Sequence, residues 1–124
     1  MIVGLGLDVT ELDRIEKVFA RHGERFLDKI LTAAERGAMP RLAVPFIAAR
    51  FAAKEAGVKA LGTGFRDGIS YKDVEVYADP RGKPLLRFLN KARERADELG
   101  VASAHISLTH GRDVAAAVVV LEAL

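Results

Sequence analysis

The chain opens on a nearly unbroken apolar run, Ile2 to Val9, interrupted only by Gly4, Gly6 and Asp8. Such a run reads as a buried strand, and its two glycines mark places where another backbone or a ligand can approach closely. From Leu12 the period changes. Leu12, Ile15 and Phe19 recur at helical spacing, Thr10 is placed as an N-cap with Glu11 and Asp13 in the first turn, and Gly23 ends the helix. Phe26, Leu27 and Ile30 predict a second short helix. Thr32-Ala33-Ala34-Glu35 has the capping-box pattern that opens another turn. Pro40 and Pro45 bracket a loop, and Phe46 to Leu61, rich in Ala, Arg and Lys, is the strongest helix, stopped by Gly62.

Beyond the loop Gly62 to Gly68, the period falls to two. Tyr71 to Tyr77 predicts a strand with Val74 and Val76 on one face and Asp73 and Glu75 on the other. Asp79-Pro80-Arg81-Gly82 is a turn, Pro84 to Phe88 favours strand, and Leu89 to Leu99 favours helix with Gly100 as its stop. Val101 to Thr109 and Val114 to Leu121 predict strands joined through Gly111-Arg112-Asp113. No repeat, linker or low-complexity stretch divides the chain. The expectation is a single small domain over residues 1–124, of class α+β, with a mainly antiparallel sheet packed on a long central helix.

Composition narrows the function classes. Among 124 residues, half are apolar and 29% charged, an ordinary globular balance. The net charge of +2 is too small for bulk nucleic-acid binding, so any basic surface is local. With no cysteine, disulfides, thiolate catalysis and Cys-based zinc sites are excluded. The apolar opening is too short for a secretory leader and lacks a basic flank. No apolar run nears the ~20 residues that span a bilayer. The expected setting is the cytoplasm, without membrane attachment.

Four groups of residues could carry chemistry. Asp8 closes an apolar strand, where a carboxylate needs a partner, and it is equally suited to capping the next helix. Glu55 and Lys59 lie one helical turn apart on one face. On an arbitrary helix they would be a weak surface pair, but the surrounding alanines predict a buried helix. A carboxylate and an ammonium facing one pocket suit a phosphoryl site, the first for magnesium and the second for phosphate oxygens. His105, Ser107 and Thr109 alternate onto one strand face, directed at water or at a ligand. Arg14, Lys17, Arg21 and Arg25, three or four apart, form a basic stripe that is either simply solvated or docks an acidic partner. Gly62-Thr63-Gly64 lacks the spacing of a Walker loop and follows a helix C-terminus, whose dipole does not favour anions.

Taken in order, these segments resemble one family, the holo-acyl-carrier-protein synthases. The resemblance is carried by Gly4-Leu5-Gly6-Leu7-Asp8-Val9-Thr10-Glu11-Leu12 with Arg14-Ile15, then Phe26, Lys29-Ile30-Leu31-Thr32 and Glu35. The most specific block is Arg50-Phe51-Ala52-Ala53-Lys54-Glu55-Ala56 with Lys59-Ala60-Leu61-Gly62-Thr63-Gly64. Asp73-Val74-Glu75-Val76, Gly82-Lys83-Pro84 and His105-Ile106-Ser107-Leu108-Thr109-His110 complete it across nearly the whole chain.

The resemblance implies transfer of 4'-phosphopantetheine from coenzyme A to a serine of an acyl carrier protein, in fatty acid biosynthesis. It implies magnesium held by Asp8 and Glu55, and Lys59 on the pyrophosphate. The catalytic set is then Glu55, Lys59 and Asp8, with Glu55 as base, directly or through a metal-bound water. Arg50, Lys59, Gly62, Thr63, Gly82, Lys83, Pro84, His105 and Thr109 would contact coenzyme A. Arg14, Arg21 and Arg25 would meet the acidic carrier. It further implies homotrimers with sites between subunits. Two segments depart from the family pattern. Gly57-Val58 replaces a bulkier residue, which is expected to loosen the central helix or leave room for ligand, and Gly111-Arg112-Asp113 replaces a Thr-containing turn after His110. The competing classes are a non-catalytic module that binds an acidic protein and another magnesium-dependent nucleotide enzyme. Acids at both Asp8 and Glu55 disfavour a pure anion binder.

Overall fold

A computed structural model describes all 124 residues. Strand β1 (Ile2–Glu11) leads into helices α1 (Leu12–His22), α2 (Glu24–Ile30), α3 (Ala33–Gly37) and α4 (Ala43–Leu61). A 3-10 turn at Tyr71–Asp73 precedes strands β2 (Val74–Ala78) and β3 (Pro84–Phe88). Helix α5 (Asn90–Glu98) and strands β4 (Val101–His110) and β5 (Val114–Ala123) complete the chain. All strand pairs are antiparallel, in a three-stranded sheet ordered β1-β5-β4 and a separate β2-β3 hairpin. The α+β class, the central helix and the antiparallel pairing are as the sequence predicts. No helix is long and apolar enough to cross a membrane.

The junction of β1 and α4 positions the candidate site. A Cβ at Gly6 would overlap the Ala56 carbonyl oxygen and stand 2.9 Å from the Ala60 nitrogen; one at Gly4 would overlap the Ala60 carbonyl. Strand and helix backbones therefore touch directly, which only glycine permits. Because alternate strand residues share a face, Asp8 follows Gly4 and Gly6 onto the side that meets α4. Ala48, Ala52, Ala53 and Ala56 of α4 are fully buried. They let the helix sit between the sheet and the hairpin.

Four details differ from the sequence-based expectation. β1 runs through Thr10, so Thr10 does not cap α1. The cap residue is Glu11, which makes no side-chain capping bond, and the Thr10 hydroxyl donates to Asp8 Oδ2 at 3.1 Å. Pro45 lies inside the first turn of α4 rather than in a loop. The fold tolerates it there because first-turn N–H groups have no helical acceptor. The segment expected as a strand from Tyr71 begins instead as the 3-10 turn, capped by Ser70 and Asp73. Gly57 leaves neither slack nor ligand space: a Cβ there would meet Val74 at 3.1 Å and Phe88 at 3.6 Å, so the hairpin core fills it.

A buried polar network ties these layers together. Lys54, fully buried, donates to Glu35 Oε1 at 2.8 Å and to the carbonyls of Tyr71 and Val74. Glu35 completes the Thr32 capping box and also accepts from the Val76 N–H at 2.9 Å. Burial pushes the Lys54 ammonium below its ordinary value, with Glu35 pulling it back up. Removing one member of such a buried pair costs about 3–5 kcal/mol, because the other charge is left uncompensated. Lys54, inside the most specific sequence block, therefore holds the helix to the hairpin and takes no part in the candidate site.

Candidate active site

Asp8 and Lys59 meet where β1 crosses α4, and Glu55 lies one helical turn before Lys59 on the same helix. Lys59 Nζ donates to Asp8 Oδ1 at 3.1 Å and to the Leu7 carbonyl at 3.1 Å. Asp8 is largely shielded, with its side chain 17% exposed, while Lys59 is 52% exposed. Glu55, half-buried, accepts one hydrogen bond, from Tyr71 Oη to its Oε1 at 3.0 Å. Asp8 does not cap a helix, and Glu55 and Lys59 do not pair with each other. Glu55 reaches Tyr71 and Lys59 reaches Asp8.

Tyr71 was not among the sequence candidates. Its hydroxyl is pushed up to about 12, first by burial, then by the charge and hydrogen bond of Glu55, with Asp8 adding and Arg14 opposing. Glu55 is the carboxylate that contacts the phenol directly. No local sequence signal marks this tyrosine, because its partner lies sixteen positions away on another element.

The basic stripe borders a groove of about 450 Å³ beside this tyrosine. Arg14, Arg25 and Lys29 carry its charge, His22 adds an imidazole, Phe26 and Phe51 contribute apolar wall, and Tyr71 lines it as well. Arg14 also lies over the Phe51 ring at 5.7 Å. Arg21 is exposed and forms no ion pair, and Lys17 is occupied by Asp13 at 3.0 Å. His22 and Lys29 extend the stripe in a way the α1 spacing alone did not reveal, because Lys29 comes from α2.

The remaining candidates lie elsewhere in the chain. Gly62 ends α4 in the left-handed region (φ 78°), and the N–H groups of Thr63 and Gly64 both return to the Val58 carbonyl at 3.2 Å. Gly62 and Thr63 line a second cavity, with Arg66, Lys91 and Arg95. Gly82 and Lys83 lie in the tip of the β2-β3 hairpin and Pro84 opens β3; Asp79 closes the tip, its carboxylate accepting from the Arg81 and Lys83 N–H groups. Arg50 stacks over Phe46 at 3.9 Å, and its buried Nε has no hydrogen-bond partner. It lines a third cavity with Thr109 and His110. Burial pushes its guanidinium below the ordinary value, with Glu35 opposing.

Register places His105, Ser107 and Thr109 apart from Asp8. Asp8 pairs with Ala117 and Ala117 with Leu108, so these three share the inner face of the sheet. His105, Ser107 and Thr109 therefore point outward, beside Leu5, Leu7 and Val9, which are 67%, 62% and 58% exposed. His105 Nε2 lies 3.1 Å from Glu122 Oε1.

As a cation site, Asp8 and Glu55 supply the carboxylate oxygens that magnesium prefers. No group of three or more His, Cys, Asp or Glu side chains forms a cage. A divalent ion here would be held by two carboxylates, with substrate phosphate and water in the other positions, which is the usual mode for magnesium. The donor set fits.

A family profile described as the 4'-phosphopantetheinyl transferase superfamily matches residues 4–119. The chain belongs to the 4'-phosphopantetheinyl transferase superfamily. It is 58% identical over 123 residues to the holo-[acyl-carrier-protein] synthase of Maridesulfovibrio salexigens, covering 98% of this chain and 99% of that one. Among solved transferase structures, the holo-[acyl-carrier-protein] synthase of Neisseria meningitidis superposes with TM-score 0.89 at 34% identity, covering 98% of this chain and 99% of that one. The Helicobacter pylori synthase, solved in complex with coenzyme A, gives 0.85 at 31% identity, covering 95% and 99%.

Proposed function

We propose that this chain is a holo-[acyl-carrier-protein] synthase. It transfers 4'-phosphopantetheine from coenzyme A to a serine of apo-acyl carrier protein, as an enzyme of the cytoplasm. The observation that carries the reading is the Asp8–Lys59 contact where β1 crosses α4, with Glu55 one helical turn away and bonded to a tyrosine that lines a basic groove. In the reaction, the serine oxygen bonds to the β-phosphorus of coenzyme A. The bond from that phosphorus to the bridging oxygen breaks, and adenosine 3',5'-bisphosphate leaves.

Phosphoryl transfer of this kind depends on positioning and charge neutralisation more than on covalent help from the protein. Asp8 and Glu55 would hold magnesium, which when bound neutralises charge on the diphosphate. Lys59, released from Asp8, would meet pyrophosphate oxygens, and Glu55 would take the serine proton. Arg50, with its unpartnered Nε, has a donor ready for a ligand acceptor. Arg14, Arg21 and Arg25 would receive the acidic carrier, with steering that weakens at high salt.

The coenzyme site extends to Gly62, Thr63, Gly82, Lys83, Pro84, His105 and Thr109 in this reading, and it assembles between subunits of a homotrimer. Two observations support that assembly. His105 and Thr109 face away from Asp8, so a neighbouring chain is needed to join them in one site. The same outer face presents Leu5, Leu7 and Val9 to solvent, an apolar patch of the kind that subunit contacts cover. Light scattering is expected to give three times the chain mass, and a monomer would remove the shared-site arrangement. Incubation with coenzyme A, magnesium and apo-carrier is expected to raise the carrier's mass by one phosphopantetheine. A carrier that is bound but unchanged in mass would favour the non-catalytic module instead.

A further inference from the structure

Resting on that reading of Glu55 as cation ligand and base, we propose that Tyr71 is the positioning residue of the active site, fixing the Glu55 carboxylate through the hydrogen bond from Oη to Oε1. Glu55 has no other hydrogen bond and no ion pair. A glutamate side chain is rich in rotamers, and an unfixed one must be ordered each time a cation binds. With Oε1 held by the phenol, the carboxylate is presented in one orientation and Oε2 stays free of protein partners.

Tyr71 is itself held on three sides. Its ring stacks on Phe65 with centroids 3.9 Å apart and on Phe51 at 5.5 Å. Its carbonyl accepts from buried Lys54 at 3.0 Å, and the Asp73 side chain closes the turn on the Ser70 N–H at 2.9 Å. The rigid core network thus reaches the site through one side chain. Tyr71 also lines the groove that Arg14 and Arg25 border, so a hydroxyl delivered into that groove would arrive beside the carboxylate this tyrosine orients.

Phenylalanine would keep the stacking and lose only the hydroxyl, so Tyr71→Phe isolates the proposed role. The probe is Mn2+ titrated into the full chain with saturating coenzyme A, with free Mn2+ read by electron paramagnetic resonance. Tyr71→Phe is expected to weaken Mn2+ binding about tenfold, as loss of a partner that orients a metal ligand does. The kcat for transfer should fall by a similar factor, with KM for the carrier and the thermal midpoint nearly unchanged. In a Glu55→Gln background the same substitution should leave Mn2+ affinity where Glu55→Gln alone puts it. Wild-type Mn2+ affinity in Tyr71→Phe overturns the proposal whatever the kcat, since a packing role alone would move only the midpoint. If the wild-type chain transfers phosphopantetheine yet binds no Mn2+ with coenzyme A, the cation role of Asp8 and Glu55 falls, and the proposal with it, while the transferase assignment stands.

Discussion

Glu55→Gln is expected to abolish phosphopantetheine transfer while leaving the fold and its thermal midpoint intact. Glutamine matches glutamate in shape, and its amide oxygen can still accept from Tyr71, so packing around α4 is preserved. The substitution removes the negative charge for the cation and the basicity for the serine proton together. Loss of a general base alone costs about a hundredfold to ten-thousandfold. With the weakened cation included, a fall in kcat of about a thousandfold or more is expected, measured from the carrier mass over time. Full activity would remove Glu55 from the mechanism. A fall in activity accompanied by unfolding would show that the residue serves the structure instead.

The largest effect on stability is expected at Gly6. A Cβ there would overlap the Ala56 carbonyl oxygen and stand 2.8 Å from its carbon and 2.9 Å from the Ala60 nitrogen. All three obstacles are helix backbone, so no side chain can turn aside. Overpacking usually costs 1–3 kcal/mol when side chains can adjust. Here the whole of β1 must shift from α4, and Gly6→Ala should cost about 3 kcal/mol or more, a fall in midpoint of about 10–15 °C. The same shift moves Asp8 away from Lys59 and the rest of α4, so activity should fall even in the fraction that stays folded. Gly37→Ala is the control. Nothing lies within 4 Å of a Cβ at that position, so stability should stay within about 0.5 kcal/mol of wild type. Equal midpoints for both variants would show that β1 and α4 are not in direct contact.

Gly6 shows why the glycines of the opening strand are legible only in part from the chain itself. A glycine in an apolar strand announces a close approach but does not name what approaches. The structure supplies Ala56 and Ala60, and through them the reason that Asp8 meets Lys59 of α4. Lys54 is the opposite case. It sits beside Glu55 in the strongest motif, yet one step along a helix turns a side chain by about 100°, so it points into the core at Glu35 while Glu55 reaches the Tyr71 hydroxyl.

Local chemistry determined the elements. The change of apolar period marked helix from strand, glycine after α4 and α5 stopped those helices, the Thr32–Glu35 box opened α3, and Asp79 to Gly82 turned the hairpin. Each of those signals acts through neighbours a few residues away, so a single chain read in order contains it. Tertiary structure alone decided which functional groups meet. It gave Lys59 to Asp8 across 51 positions and Tyr71 to Glu55, and it turned His105 to the opposite face of the sheet. Such pairings depend on strand register and on how two backbones cross. These are properties of the packed whole, and a one-residue change of register would reverse every face.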